Sequence, residues 1–338
     1  MRATAFAQGI LTSLGQPRRR CHRDARPGIR QGDAPTRLAR RPRTATGMPM
    51  AAALVALAAM TLWAAVTGAN TAGAGAGGAS GGGQLAVHFI DVGQGDSVLI
   101  LAPSGKTMLI DGGPADASER LVAYLKAQKV SRIDVLVATH PHADHIGGLV
   151  EVLRTFPVDL VVDSGKVHTT ATYERFLTLI DQKNIRFRLG RAGDGIDLGP
   201  GLAARILHPT EPLPENMNDC SVVVRLEYGK VSFLFTGDAQ RDAENAMLKS
   251  GAHLRAAVLK VAHHGSGTSS SPWFLKAVKP GVAVILVGAG NSYGHPHRTT
   301  LLNLADYTDR VYRTDVDGDV VVTTDGTTFR VDTARAGP

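Results

Sequence analysis

Short apolar runs separated by turns and amphipathic segments fill the chain from residue 84 to about residue 332. Apolar runs of a few residues predict strands, and apolar positions three and four residues apart predict helices. We predict strands at 85–91, 97–102, 106–111, 133–138, 158–162, 202–208, 221–228, 231–236, 256–262, 281–287 and, as a hairpin, 319–330. We predict helices at 117–129, 146–155, 171–182, 239–250, 272–278 and 298–305. This alternation favours one α/β domain with two sheets and helices outside them.

A charge-free apolar segment precedes this domain. It runs from Met48 to Gly68, and only Thr61 and Thr67 among its residues are clearly polar. At about 1.5 Å of rise per residue, a helix of this length just spans a hydrocarbon core of about 30 Å. Because an Arg-rich segment precedes it and small residues follow it, we expect either a cleaved signal peptide or a membrane anchor.

The chain therefore divides into four parts. Residues 1–47 form an Arg-rich leader that we expect to be disordered, residues 48–68 form the apolar segment, and residues 69–83 form a Gly-rich linker. Residues 84–338 form the predicted catalytic domain. Since positive charge marks the cytoplasmic side of an apolar segment, we expect this domain to be extracytoplasmic, either membrane-anchored or secreted.

The positive charge of the chain belongs to its leader. The whole chain has a formal net charge of +7, whereas residues 1–47 hold 11 Arg and two Asp, a net charge of +9. Residues 48–83 carry no charge, and the remaining residues carry 26 basic and 28 acidic side chains, a net charge of −2. The basic composition is therefore weak support for nucleic-acid binding by the catalytic domain itself.

Three histidines and one carboxylate lie within six residues, where the strand 133–138 ends and a helix begins. His140 and His142 alternate, so their imidazoles point the same way, and Asp144 and His145 can reach an adjacent point. Imidazole and carboxylate together are typical ligands of Zn²⁺, Mn²⁺ or iron. This spacing predicts a pair of divalent metal ions in preference to a solvated His-rich loop.

Further histidines and carboxylates follow other predicted strands. A carboxylate that follows a glycine at a strand end is well placed to bridge two metal ions, and adjacent histidines at a strand end indicate a metal or anion site. A carboxylate beside turn glycines also has the simpler explanation of ordinary turn chemistry. These residues are Asp238 after the strand 231–236, His263 and His264 after the strand 256–262, and Asp96 and Asp111 in two glycine-containing turns.

In this order the motifs resemble those of the metallo-β-lactamase superfamily. They are DVGQGDS (91–97), IDGG (110–113), THPHADHIGG (139–148), TGDA (236–239) and LKVAHHGS (259–266). The segment 291–297 and the motif YRTDVDGDV (312–320) make the chain most similar to the extracytoplasmic hydrolase domain of ComEC-type DNA-uptake proteins and their stand-alone relatives. The resemblance covers residues 84–332 and implies an αβ/βα sandwich, with two facing sheets, helices outside and a dinuclear metal site at one edge. It does not extend to a polytopic membrane channel.

The resemblance also implies a role for each motif residue. Two divalent ions, Zn or Mn, are expected. One would be bound by His140 and His142, the other by Asp144, His145 and His263, with Asp238 bridging them and Asp111 orienting the ligand loop from behind.

The sequence departs from the family pattern at one position. Many relatives carry a further histidine before the bridging aspartate, and here Asn218 or Asp219 would take its place. The choice between His263 and His264 as the ligand is also open, and we favour His263.

Other polar residues lie where a phosphate would bind. His264, Lys260 and His295 are candidates to bind a phosphate or to protonate a leaving oxygen. Ser266 begins a run of hydroxyl residues that could contact an anion. We expect Asp96 to contact the metal-binding residues or the substrate without binding a metal ion itself. With Asp144 and Asp238, Lys260 and His264 are the predicted catalytic residues.

The chemistry expected of two divalent ions is hydrolysis, since they activate a bridging water and stabilise the developing charge. We predict an exported, metal-dependent phosphodiesterase or nuclease that acts on DNA or another phosphodiester. The alternatives are a hydrolase of a phosphocholine ester, a lactone or a β-lactam, and a non-catalytic relative that binds a polymer at the cell surface. The complete series of candidate ligands disfavours the last. Nothing in the sequence indicates a protein partner, and residues 48–68, if uncleaved, would contact the membrane.

Overall fold

The computed structural model describes Gly9 and residues 83–335. Its strands there are β1 (Leu85–Phe89), β2 (Val98–Leu101), β3 (Thr107–Ile110), β4 (Ile133–Ala138), β5 (Val158–Asp163), β6 (Arg186–Leu189), β7 (Gly195–Ile196), β8 (Leu202–His208), β9 (Val223–Tyr228), β10 (Val231–Phe235), β11 (Val258–Lys260), β12 (Val282–Ile285), β13 (Val311–Arg313), β14 (Val320–Thr324) and β15 (Phe329–Thr333). Its helices are α1 (Ser118–Ala127), α2 (Ala143–Ile146), α3 (Leu149–Thr155), α4 (Ala171–Gln182), α5 (Arg241–Lys249), α6 (Pro272–Val278), α7 (Arg298–Ala305) and α8 (Thr314–Asp317).

These strands form two mixed sheets. The strand order is β15-β14-β1-β2-β3-β4-β5-β6 in the first sheet and β13-β12-β11-β10-β9-β8-β7 in the second. The strands from β3 to β6 are parallel, as are those from β10 to β13. The remaining pairs are antiparallel. The predicted architecture of two facing sheets with helices outside is confirmed.

The alternation of side chains along each strand builds three apolar layers. In β1, Leu85, Val87 and Phe89 point into the layer between the sheets, where Phe89 meets Phe235 of the second sheet. The intervening His88 points to the outer face and hydrogen-bonds with the hydroxyl of Tyr124 at 2.9 Å. The outer face of the first sheet packs under α1, α3 and α4, and that of the second sheet packs under α5 and α6.

The predicted helix 146–155 is two helices in the structure, α2 and α3, and the first begins at Ala143. Between them lie Gly147 and Gly148, and a Cβ on Gly148 would overlap the carbonyl oxygen of Gly112. The backbone of the turn at Gly112 therefore occupies the space that a side chain at position 148 would need, and the helix is interrupted at these glycines.

Three strands, β6, β7 and β13, and the helix α8 were not predicted. In β6 arginines alternate with apolar residues, and the others have two to four residues. Such short segments carry too few apolar positions to show a period.

No helix within residues 83–335 is long and apolar enough to cross a membrane. The apolar segment 48–68 lies outside the described residues, as do the leader apart from Gly9 and all of the linker except Gly83. The predictions for these segments therefore stay predictions.

Candidate metal centre

Loops from both sheets meet at one edge of the sandwich. The loop after β4 carries His140 to Asp144, the turn after β10 carries Asp238, and the turn after β11 carries His264. All three loops follow the carboxyl ends of strands that pair in parallel with a neighbouring strand. Because such ends face the same edge, residues far apart in the sequence converge there.

Backbone contacts between glycine turns hold this edge together. The amide of Gly112 donates to the carbonyl of His145 at 2.7 Å, and the amide of Gly148 donates to the carbonyl of Gly113 at 2.9 Å. A Cβ on Gly95 would overlap the carbonyl oxygen of Asp144. The motifs DVGQGDS, IDGG and THPHADHIGG therefore pack against one another through their backbones, and their glycines permit this close approach.

The carboxylate of Asp238 lies at the centre of the histidines. Its Oδ2 atom is 3.3 Å from Nε2 of His145, 3.5 Å from Nε2 of His264 and 3.9 Å from Nε2 of His140. Asp238 is almost completely buried, and its Oδ1 has no hydrogen-bond partner. One carboxylate thus lies between imidazoles from two different loops.

Four side chains fit a divalent cation. Ligand atoms of Asp144, His145, Asp238 and His264 all lie within 4.8 Å of one another. Nε2 of His145 and Nε2 of His264 are buried without a hydrogen-bond partner, and they lie 3.3 and 3.5 Å from Oδ2 of Asp238. Buried polar atoms are nearly always paired, so orphaned donor atoms that converge indicate an absent ligand atom or ion. Two imidazoles and two carboxylates suit zinc or manganese.

His140 and His142 form a second donor pair beside this group. Nε2 of His140 and Nδ1 of His142 are 2.9 Å apart, and the rings meet edge to face. Burial first, and then the positive charge of His145, lower the pKa of His140 well below its usual value. A neutral imidazole is the form that binds a metal. The pair and Asp238 can therefore serve a second ion.

The surrounding carboxylates make the cluster strongly attractive to positive charge. Burial alone would lower the pKa of His264, but the nearby carboxylates of Asp238, Asp144 and Asp96 raise it to about 10. Burial likewise opposes the protonation of His145, and neighbouring carboxylates, with Asp238 foremost, raise its pKa well above the usual value. In the protein without metal, protons thus neutralise carboxylates that a divalent cation would neutralise instead.

Asp111 lies behind the histidine loop. Its carboxylate accepts hydrogen bonds from the amide of Thr139 at 2.8 Å, from the hydroxyl of Thr139 at 2.6 Å and from Nδ1 of His145 at 2.8 Å. The bond to Nδ1 leaves Nε2 of His145 directed at Asp238. A carboxylate placed in this way fixes both the ring orientation and the tautomer of a metal-binding histidine.

Of the two adjacent histidines, the structure places His264 in the cluster. Its ring is buried, whereas His263 is one-fifth exposed and lies 3.8 Å from Asp238. Nδ1 of His263 instead contacts the Gln240 side chain and the Thr268 hydroxyl, each at 3.1 Å. The geometry favours His264 over His263, the residue favoured from the sequence, and we assign the ligand role to His264 as a proposal.

The structure also separates Asn218 from Asp219. Asn218 lines the cavity described below, and its buried Oδ1 has no hydrogen-bond partner. Oδ1 of Asp219 accepts hydrogen bonds from the amides of Gln240 and Ala243 at 2.9 and 3.1 Å, at the start of α5. Asn218 is therefore the better candidate to replace the missing histidine, while Asp219 accepts from amides at the start of a helix that lack a partner within it.

Lys260 and Ser266 do not face the site in the way that the sequence predicted. The Lys260 ammonium is buried, pairs with Asp96 and donates to the carbonyl of Gly237 at 2.8 Å. Ser266 is buried in its own turn, where its hydroxyl contacts that of Thr268 at 3.0 Å. Neither residue lines the cavity, and the contacts that the structure gives them are with neighbouring protein groups.

A cavity of about 400 Å³ opens above the candidate metal ligands. His295 lines it, and burial followed by the charges of neighbouring histidines lowers the pKa of His295 to about 4. Five of the lining residues were not predicted as site residues, and they are Gln94, Ala143, His168, Thr170 and Tyr293. Gln94, Ala143 and Tyr293 lie within segments that carry the family resemblance. For His168 the signal was indirect, because Thr170 caps the amino end of α4 and contacts His168 at 3.2 Å.

Comparison with known proteins agrees with this geometry. Residues 90–289 match the description "Metallo-beta-lactamase superfamily". The chain belongs to this superfamily. It is 31% identical to ComE operon protein 3 of Bacillus subtilis (strain 168) over 252 residues, which cover 69% of this chain and 32% of that protein. It is 33% identical to Recombination protein 2 of Haemophilus influenzae over 242 residues, covering 70% of this chain and 28% of that protein.

The chain thus spans about a third of the length of the curated relatives it matches. Among solved structures, it is similar to the metallo-β-lactamase fold protein YhfI of Bacillus subtilis, with a TM-score of 0.43 and 14% identity. That similarity covers 68% of this chain and 96% of YhfI. The predicted resemblance to the superfamily and to competence proteins is confirmed.

Proposed function

We propose that this protein is an exported, metal-dependent phosphodiesterase that hydrolyses DNA or a related phosphodiester. The observation that carries the proposal is the cluster of Asp144, His145, Asp238 and His264 with unpaired donor atoms beneath an open cavity. This chain is 32% identical to Competence protein ComA of Neisseria gonorrhoeae over 238 residues. Similarity to a competence protein supports nucleic acid as the substrate.

Two divalent ions bound there would supply an activated water and neutralise charge on the substrate. The chain's own residues would hold and orient these ions. Asp238 would bridge them, Asp111 would fix the His145 ring, and the buried surroundings would strengthen each electrostatic contact. A phosphate would enter through the cavity and meet His142 and His295 at its wall.

A panel of substrates tests this proposal. The full-length protein, loaded with zinc or manganese, is assayed with single-stranded DNA, a bis-aryl phosphodiester and a β-lactam. Cleavage of DNA or of the diester, lost by at least about a hundredfold in Asp238→Asn, is the expected result. Efficient opening of the β-lactam with no cleavage of either phosphodiester would refute the proposal.

The other hydrolase classes remain alternatives that the same panel separates. A phosphocholine ester or a lactone added as substrate would identify the corresponding activity. A non-catalytic protein would bind metal without turning over any of them. The unpaired donor atoms beneath the open cavity favour catalysis over binding alone.

Export is a separate part of the proposal and has a separate test. Residues 1–90 are fused to a reporter enzyme that is active only outside the cytoplasm. Activity of the fusion is expected because the charge-free span 48–68 follows an Arg-rich segment. A fusion that instead activates a cytoplasmic reporter would show that the domain stays inside.

A further inference from the structure

Tyr293 is a large aromatic side chain that the fold leaves in solvent. Its exposed fraction is 65%, although it lines the same cavity as Asp144, Asp238 and His264. A tyrosine ring at the rim of a site offers an apolar face and a polar edge to a ligand. The ring therefore lies where a substrate group next to the reacting centre would pass.

The Tyr293 ring begins a series of aromatic rings that leads to the candidate metal centre. It stacks on His295, with centroids 5.6 Å apart and planes inclined by 21°. The ring of His295 in turn lies 6.3 Å from that of His264, inclined by 33°. One face of Tyr293 is thus supported from below by aromatic neighbours, and planar groups can continue the stack.

The loop that carries Tyr293 is fixed by one side chain, Asn291. Its Oδ1 accepts hydrogen bonds from the amides of Tyr293 and His295 at 3.2 and 3.0 Å. Its Nδ2 donates to the carbonyls of Gly288 and His295 at 3.0 and 2.7 Å. The carbonyl of Tyr293 also accepts a bond from Nε2 of His297. Although the ring is exposed, its backbone is held in place before a ligand arrives.

We propose that Tyr293 is a stacking platform for a nucleobase adjacent to the scissile phosphate, and that it makes the site selective for nucleotides over alkyl phosphodiesters. This inference rests on the proposed phosphodiesterase function and specifies its substrate. Every nucleobase has a flat π-face, so stacking recognises nucleic acid without reading its sequence. An alkyl diester such as an abasic sugar phosphate has no planar group to place on the ring.

Binding measurements test this without turnover. The full-length protein as purified is titrated with two fluorescent phosphorothioate oligomers of equal length, one of thymidine and one of abasic sugars. Both carry the same backbone charge, so only the bases differ. We expect the thymidine oligomer to bind about tenfold more tightly than the abasic oligomer. We expect Tyr293→Ala to abolish this preference and Tyr293→Trp to retain it.

Trp273 supplies a matched control. It is 72% exposed on α6 and does not line the cavity, so Trp273→Ala should leave the preference unchanged. The proposal is overturned if the wild-type protein shows no preference for the thymidine oligomer over the abasic oligomer, or if Tyr293→Ala keeps that preference. The titration measures binding and does not depend on hydrolysis. A preference for bases in a protein that cleaves no phosphodiester would therefore refute the proposed function but not the role of Tyr293 in stacking.

Discussion

The ammonium of Lys260 pairs with the carboxylate of Asp96 directly beneath the candidate metal centre. Both side chains are almost completely buried, at 2% and 4% exposure. Oδ1 of Asp96 lies 3.3 Å from Nδ1 of His264, and the ammonium lies 3.9 Å from Oδ1 of Asp238. The ion pair therefore connects the first glycine turn of the domain to the end of β11 and to the histidine cluster.

Removing one partner of this pair should destabilise the fold. In Lys260→Met the carboxylate of Asp96 stays buried without its partner, and we expect the free energy of unfolding to fall by about 3–5 kcal/mol. Denaturant unfolding measures the change. The double variant Asp96→Asn with Lys260→Met should recover most of the loss, and Lys276→Met on the surface should cause little. Equal stability of Lys260→Met and wild type would disprove the structural role of the pair.

The two adjacent histidines should differ in metal binding. His264→Ala removes a buried imidazole whose Nε2 lies 3.3 Å from Asp144, and we expect bound metal to fall from about two ions per chain to about one or fewer. His263→Ala should retain the wild-type content, since that ring contacts Gln240 and Thr268. Elemental analysis of both purified variants decides the matter, and a loss of metal in His263→Ala alone would reverse the assignment.

The location of the site could be predicted from the sequence because its signals are local. His140, His142, Asp144 and His145 lie within one turn after a strand, and the structure keeps them together. That Asp238 meets these residues could also be predicted, because the carboxyl ends of parallel strands lie at one edge of a sheet. Strands with several apolar residues, such as β4 and β10, were predicted within a residue of their bounds for the same reason.

Side-chain direction in irregular turns could not be predicted. His263 and His264 both have left-handed backbone angles, with φ of 51° and 52°, so the alternation of a strand does not apply to them. Asp111, behind the cluster, is also left-handed at φ 57°. Residues other than glycine adopt this conformation at a cost of about 1–2 kcal/mol, which other contacts must offset. For Lys260, the sequence showed a cation but not the burial that directs it to Asp96.

Asp163, the last residue of β5, should make stability depend on pH. Burial raises its pKa to about 7, although the amide of Gly165 donates to it. Between about pH 4 and pH 7 the folded chain keeps a proton that the unfolded chain has released, so stability falls as pH rises through this range. The loss is expected to reach up to about 4 kcal/mol.

Thermal unfolding at several pH values checks this expectation. Asp163→Asn keeps an acceptor for the amide of Gly165 but cannot titrate, so its melting temperature should fall less than that of wild type between about pH 5 and pH 8. Other buried acids titrate in both proteins, and the difference between the two curves isolates Asp163. Parallel curves would show that this carboxyl does not hold its proton in the fold.

We expect Asn218 to limit the affinity of the ion that His140 and His142 would bind. Its amide oxygen is a weaker ligand than an imidazole, and that oxygen is buried at the cavity without a hydrogen-bond partner. We therefore expect Asn218→His to tighten binding of the weaker of two zinc ions by about tenfold or more, as measured by competition with a chelator. The neighbouring Asp219→Ala should leave zinc affinity unchanged but lower the melting temperature, because it removes acceptors for the amides of Gln240 and Ala243. If Asn218→His binds zinc no more tightly than wild type, the amide does not occupy the position of the missing ligand.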